Sequence, residues 1–102
     1  MIIKPFTVNV GKERIFGIYL VPSKKPKNIP LILTNGSGDN SNQYPLVNLS
    51  KFLTRKGYLT ARFDFRGCGN SDGKEENYSL SSQIKDLEVV IDFIKEKLRK
   101  EV

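Results

Sequence analysis

The chain has 102 residues, a length that is sufficient for one small domain with a thin core. Hydrophobic residues make up 38% and charged residues 27%, a composition compatible with a globular protein. Its 17 lysines and arginines outnumber its 11 aspartates and glutamates and give a net charge of +6, but no basic stripe is interleaved with aromatic residues, so we expect no nucleic-acid partner. No apolar run approaches the roughly 20 residues that span a bilayer, the N-terminus lacks a signal pattern, and a single cysteine excludes an internal disulfide; we therefore expect a cytoplasmic protein without a membrane partner.

The first elements along the chain are two strands. Apolar residues loosely alternate within Ile2 to Val10, which indicates a strand that begins near Pro5. A turn at Gly11-Lys12 leads to a second strand from Arg14 to Val21. Because the connection is short, the two strands are predicted to form an antiparallel hairpin.

A buried strand and a helix follow. The polar loop Pro22 to Pro30 leads into Leu31 to Thr34, a short continuous apolar run that is typical of a buried parallel strand. Pro45 suits the first position of a helix, the apolar residues after it have helical spacing, and Gly57 suits a left-handed cap. This pattern predicts an amphipathic helix that covers one face of the sheet.

The last two elements are a strand and a long helix. Tyr58 to Phe65 has strand character, and a second helix is predicted from about Ser79 nearly to the end of the chain. Its apolar stripe consists of Leu80, Ile84, Leu87, Ile91, Ile94 and Leu98. The order is therefore β-β-β-α-β-α, and we predict an α/β fold in which an N-terminal antiparallel hairpin precedes parallel strands joined by a helical crossover.

Two loops that contain glycines follow the carboxyl ends of the predicted parallel strands, where open α/β sheets bind ligands. The first loop is Asn35-Gly36-Ser37-Gly38-Asp39-Asn40. Its glycines would allow backbone N–H groups to turn toward a small anion or an oxyanion. The same residue types also build an ordinary strand-to-helix turn, and the residue types alone leave both interpretations open.

The second loop contains the pattern G-x-S-x-G at Gly69-Asn70-Ser71-Asp72-Gly73. In a nucleophile elbow the serine sits on a sharp turn directly between a strand and a helix. Here Arg66 to Gly69 intervene after the strand, and the helical stripe starts only at Leu80. The chain also has no histidine to accept a proton from the serine. We interpret Ser71 as a turn-forming hydroxyl and assign no catalytic residue.

Other residues of this region permit functional alternatives. Cys68 could be reactive, but without a histidine partner we interpret it as a loop thiol. Asp64 and Asp72 could act as an acid–base pair or bind Mg²⁺; we expect them to orient loop amides, because no third oxygen ligand has suitable spacing. Gly67-Cys68-Gly69 suggests a dinucleotide fingerprint, but Asp72 occupies the place of its third glycine. We expect neither a metal nor a cofactor.

The two loops, in this order and at this separation, resemble the N-terminal half of the α/β-hydrolase family, especially its serine aminopeptidase, acylglycerol-lipase and dienelactone-hydrolase-like branches. The resemblance covers nearly the whole chain. It implies that Asn35, Gly36, Ser37 and Gly38 form the oxyanion loop, in which the amide of Ser37 is the donor and Asn35 stands where the family usually has histidine. It also implies a structural loop after the fourth strand, formed by Arg66, Gly67, Gly69, Ser71, Asp72 and Gly73.

The resemblance implies that residues 1–102 form a single truncated domain that lacks the nucleophile elbow, the acid and the histidine of the family. We expect a fragment or split half of a serine hydrolase of the esterase, lipase or peptidase type, which hydrolyses a carboxylic ester or acyl bond and is inactive alone. One alternative is a non-catalytic interaction module that binds a partner through an open sheet edge. Another is a complete enzyme that uses Ser71 or Cys68 without histidine.

The expected partners follow from the sheet edge. In the family the strand that carries the elbow would pair beside Leu31 to Leu33, so in its absence that strand has an open apolar edge. Such edges recruit partners or aggregate. We expect a complementary C-terminal hydrolase half or self-association through Leu31–Leu33, and self-association or marginal stability of the isolated chain.

Overall fold

A computed structural model of the protein describes residues 1–34, 44–74 and 78–101. The strands are β1 (Ile2–Val10), β2 (Glu13–Val21), β3 (Leu31–Leu33) and β4 (Thr60–Phe63), and the helices are α1 (Tyr44–Arg55) and α2 (Leu80–Glu101). This order confirms the predicted α/β class and the sequence of elements. None of the helices in these ranges is long and apolar enough to cross a membrane.

The sheet has the strand order β1-β2-β4-β3. β1 and β2 form an antiparallel hairpin, β2 is antiparallel to β4, and β3 is parallel to β4. The predicted hairpin and the parallel pair are therefore both confirmed. α1 is the crossover between the parallel strands, and β1 and β3 are the two edges of the described sheet.

Two predicted strand boundaries were wrong. β1 begins at Ile2 and not near Pro5, because an edge strand can hold a proline whose missing N–H is not needed by a neighbour. β4 covers only Thr60–Phe63, shorter than the predicted Tyr58 to Phe65. Its four residues are those that pair with β2, from Leu20↔Thr60 to Gly17↔Phe63, and β3 pairs with only three of them. The predicted left-handed cap of α1 at Gly57 is confirmed, because Gly57 has a φ of +103° and its N–H donates to Thr54 O at 3.0 Å.

The core lies between the sheet and α2. Val90, Ile94 and Leu98 of α2 are buried in one cluster with Ala61 and Phe63 of β4. Full burial of an aliphatic or aromatic side chain of this size contributes about 1.5–3 kcal/mol. The stripe of α2 is therefore the main anchor of this helix on the sheet.

The opposite side of β4 is polar. Thr60 Oγ1 is 2.8 Å from Thr54 Oγ1 of α1, and Arg62 Nη1 donates to Ser50 Oγ at 2.9 Å. The Arg62 side chain is buried, its Nε has no hydrogen-bond partner among the described residues, and burial lowers the pKa of the guanidinium. α1 thus packs over hydroxyls, one charge and the buried side chain of Leu20, which pairs with Thr60 and lies on the same face of the sheet.

Candidate functional site

The described part of the candidate site is the loop of residues 64–74, which follows β4. Because β3 and β4 are parallel, this loop and the one after β3 leave the sheet at the same end. Asn35, Gly36, Ser37 and Gly38, the predicted oxyanion loop, lie outside the described residues. The role of those four residues stays a prediction.

Three glycines set the path of the loop after β4. Gly67, Gly69 and Gly73 have φ angles of +85°, +51° and +95°, a region that residues with a Cβ rarely adopt. At Gly73 an added Cβ would also overlap the hydroxyl of Tyr78. The loop closes on itself where Gly67 N–H donates to Asp72 O at 2.8 Å. Its shape therefore depends on glycine at several points.

Ser71 connects the loop to the sheet. Asp64 N–H donates to Phe16 O at 2.9 Å, which extends the antiparallel ladder of β2 and β4 by one bond. Phe16 N–H donates to Ser71 Oγ at 2.8 Å, and the Ser71 hydroxyl donates to Asp64 O. The hydroxyl thus stands in for the second bond that an antiparallel pair normally makes directly. Its proton points at a backbone carbonyl, which is no general base, so this geometry is that of a structural serine.

The aspartates of the loop accept hydrogen bonds from backbone and arginine donors. Asp72 Oδ2 accepts from the backbone N–H of Arg14 at 2.9 Å and from its Nε at 3.1 Å. The hydrogen bond from the Arg14 side chain is the main cause that lowers the pKa of the Asp72 carboxyl. Asp64 is buried, and its Oδ2 accepts from Asn70 N–H at 2.9 Å. These carboxylates position the loop against β2 and the end of β4.

Arg66 joins the loop to α2. Its Nε donates to Asp86 Oδ1 at 2.7 Å and its backbone N–H donates to Asp86 Oδ2 at 2.9 Å. Its Nη1 also donates to Glu13 at 3.4 Å, and the guanidinium lies 5.0 Å from the centre of the Tyr78 ring. Tyr78 donates its hydroxyl proton to Glu13, and this bond raises the pKa of the tyrosine. The two-point contact with buried Asp86 holds the loop and α2 together.

The six predicted loop residues therefore converge on one unit: three glycines shape it, and Arg66, Ser71 and Asp72 connect it to α2, β4 and β2. Cys68 is buried in the core cluster. In the described ranges, no group of three histidine, cysteine, aspartate or glutamate side chains is placed to hold a metal ion. This arrangement forms a wall at the end of β4, and the acceptor it gives the Ser71 hydroxyl is the backbone carbonyl of Asp64 and not a general base.

The β3 edge is the second feature of the candidate site. Among the described strands, β3 pairs only with β4. A cleft of about 340 Å³ lies between β3 and α1, lined by Ile32, Leu33, Thr34, Pro45, Leu46 and Leu49. Leu49 and Phe52 of α1 are 46% and 53% exposed. Unpaired strand groups beside exposed apolar side chains are typical of an interaction surface.

Sequence reasoning missed two residues, Asp86 and Arg62. Asp86 precedes Val90 and Ile94 at intervals of four on the buried stripe of α2, and a carboxylate at that spacing signals a buried ion pair. Arg62 alternates with Ala61 and Phe63, which places it on the opposite face of β4. The burial of both residues could be predicted from their spacing, but their hydrogen-bond partners could not.

The sheet order, the crossover helix and the loop after β4 define the α/β-hydrolase fold, which confirms the resemblance at the level of the fold. Est1E from Butyrivibrio proteoclasticus, solved with ferulic acid bound, superposes with a TM-score of 0.78 at 25% identity and matches 88% of this chain. A serine hydrolase homologue from Coxiella burnetii has a TM-score of 0.78 at 22% identity over 96% of this chain. A thermostable carboxyl esterase from Bacillus coagulans has a TM-score of 0.75 at 18% identity over 95%.

The match covers only part of each of these proteins. It spans 36% of Est1E, 48% of the Coxiella burnetii homologue and 33% of the Bacillus coagulans esterase. No protein-family model and no curated protein matches the sequence. The chain therefore spans less than half the length of each of these three proteins.

Proposed function

We propose that the chain is the N-terminal half of a serine hydrolase of the esterase type, which supplies the oxyanion loop and needs further polypeptide for the nucleophile, the acid and the histidine. The reaction would be hydrolysis of a carboxylic ester or another acyl bond. Esterases among the proteins of the same fold support this class of reaction. The chain contains no histidine, so its own residues cannot complete the usual triad.

The observation that carries the proposal is the bonding of Ser71. This serine lies in the only G-x-S-x-G pattern of the chain. Its Oγ accepts from Phe16 N–H and its proton is donated to Asp64 O. A serine whose hydroxyl accepts from one backbone group and donates to another has no base to take its proton, so it is not activated for attack on an acyl carbon. This bonding supports the part of the proposal in which Ser71 is not the nucleophile and further polypeptide supplies it.

The β3 edge is where that segment would dock. A further strand beside β3 would pair its free edge, and a covering helix would bury the cleft between β3 and α1. Self-association through Leu31–Leu33 would cover the same groups. Such an occupant would bury the exposed side chains of Leu49 and Phe52 as well.

The test combines active-site labelling with mass measurement. The protein would be captured from its own cells through a small tag and treated with a fluorophosphonate probe that labels activated serines. We expect the label on a serine outside residues 1–102, either in a longer chain or in an associated polypeptide, and none on the isolated 102-residue chain. A stoichiometric label on Ser71 or any other residue of 1–102 would contradict the proposal.

A second candidate function is an interaction module without catalysis. Among the described strands β3 has one unpaired edge, and this edge and the exposed apolar side chains of α1 favour the module, because both suit strand addition by a partner. The same capture experiment separates the two functions. A captured partner that takes up no probe, together with an intact mass of 11.6 kDa for this chain, would favour the module.

A further inference from the structure

A cleft of about 460 Å³ opens at the end of the sheet opposite the loops that follow β3 and β4. One wall is the segment after β2, Pro22 to Lys24, and the other is the end of α1, Thr54 to Gly57. Leu20 pairs with Thr60 at the start of β4, so this is the amino-terminal end of the parallel strands. We call this feature the basic cleft. Its volume is within the range of small-molecule sites, about 300–1,000 Å³.

Three positive side chains line the basic cleft, Lys24, Arg55 and Lys56, and none of the described residues that line it carries a carboxylate. None of the three forms a salt bridge within residues 1–34, 44–74 and 78–101. These three charges and the ammonium of Met1, which also lines the cleft, repel each other and create a positive potential inside it. The free carbonyls at the end of α1 would oppose an anion, but Thr54 O already accepts from Gly57 N–H at 3.0 Å, which weakens that opposition.

The two walls are fixed to each other. Lys27 N–H donates to Gly57 O at 2.9 Å, and the Lys27 ammonium lies 4.6 Å from the centre of the Tyr58 ring. Ser23 Oγ accepts from the Met1 ammonium at 2.9 Å, so the Ser23 hydroxyl keeps its own proton for a ligand. These contacts leave the charges of Lys24 and Arg55 free, and the ammonium of Lys56, which lies 5.4 Å from the centre of the Phe52 ring, keeps its charge as well.

We propose that the basic cleft binds a small phosphorylated organic molecule. A guanidinium and two ammonium groups suit a phosphate, because guanidinium donates two parallel hydrogen bonds and ammonium supplies compact charge. Met1 and Pro22 line the same cleft and offer apolar contact to the body of the ligand. A single cleft does not follow a nucleic-acid backbone, which requires an extended basic track. The site lies away from the β3 edge and is independent of the proposed esterase function.

An NMR titration of the 102-residue chain with inorganic phosphate and with phenyl phosphate, at constant ionic strength, tests this proposal. We expect saturable shifts of the backbone amides of residues 23–24 and 55–57, and tighter binding of phenyl phosphate than of inorganic phosphate. The variant Lys24→Gln/Arg55→Gln/Lys56→Gln should weaken binding at least about tenfold, since each charge-assisted bond contributes more than 1 kcal/mol.

The matched control removes three exposed lysines of α2 in the variant Lys85→Gln/Lys95→Gln/Lys100→Gln, which has the same loss of charge. It should change the affinity by less than about twofold, because distant exposed charges are screened. If both variants weaken phosphate binding equally, the weakening follows from the loss of net charge and not from the cleft, and the proposal is overturned. If the cleft variant does not fold, the wild-type titration decides: shifts that do not saturate, or that fall outside residues 22–27 and 54–58, overturn the proposal.

Discussion

The hydroxyl of Ser71 is predicted to stabilise the fold and to have no part in catalysis. Ser71→Ala would leave Phe16 N–H without its acceptor and Asp64 O without its donor. Each hydrogen bond contributes about 0.5–1.5 kcal/mol, and a buried group left unpaired costs about 1–3 kcal/mol. Because the site is only partly buried, we expect a loss of about 2 kcal/mol in the free energy of unfolding.

Thermal and urea unfolding of the purified chain measure this change. A loss of about 2 kcal/mol corresponds to a fall of about 8–16 °C in Tm for a domain of this size. Amide exchange at Phe16 should become faster, since its N–H loses its acceptor. The matched control is Ser81→Ala on an exposed position of α2, expected within about 0.5 kcal/mol of wild type. A Ser71→Ala variant as stable as this control, with unchanged exchange at Phe16, would refute the reasoning.

Three further perturbations probe the same loop. Asp86→Ala removes the buried partner of Arg66 and should cost about 3 kcal/mol in urea unfolding. Asp72→Asn removes a carboxyl whose pKa lies below its ordinary 3.8 because of the hydrogen bond from Arg14. The ionised carboxyl stabilises the wild type above that pH, and the stabilisation should be lost as the pH falls below it. The variant should therefore be less stable than the wild type near about pH 6 and should show a smaller acid-induced fall in Tm. Gly73→Ala combines a φ of +95° with a steric overlap and should cost at least about 2 kcal/mol by the same assay.

Each of these predictions has an outcome that contradicts it. For Gly73 the control is Gly11→Ala, which has a φ of +61° but open space around the new Cβ and should cost only about 1 kcal/mol. Equal losses at Gly73 and Gly11 would remove the steric argument. For Asp72, parallel acid profiles of variant and wild type would mean that Arg14 does not hold the carboxyl in solution. For Asp86, a loss below about 1 kcal/mol would mean that the contact with Arg66 contributes little to stability.

The class and order of the elements were predictable from the sequence because their signals are local. The apolar stripe of α2 has a clear helical period, and Gly57 marks the end of α1 at the residue where the chain turns left-handed. The hairpin followed from the short turn at Gly11. The strand ends were less predictable, because the length of β4 depends on the four residues of β2 and the three residues of β3 that pair with it.

The arrangement of the loop after β4 was only partly predictable. Positive φ at Gly67 and Gly73 could be expected from glycine in a turn. The hydrogen bonds by which Ser71 replaces a direct bond of the β2–β4 ladder could not be expected from the sequence. Phe16 is 55 residues away from Ser71, and no local pattern near either residue predicts this contact. The contact between Arg66 and Asp86 has the same character, since a separation of 20 residues becomes a contact only when α2 packs on the sheet.

The two chemically different faces of β4 have a consequence for the dynamics of the fold. Detachment of α2 would expose Ala61 and Phe63 to water, and the exposure of each buried apolar side chain costs its transfer free energy. Detachment of α1 would expose the hydroxyl of Thr60 and the guanidinium of Arg62, which water solvates well, and also buried Leu20, which pairs with Thr60 and lies on the same face. The crossover helix should therefore open more often than the C-terminal one, and its amides should exchange first, on the side of the sheet where a completing segment would have to enter.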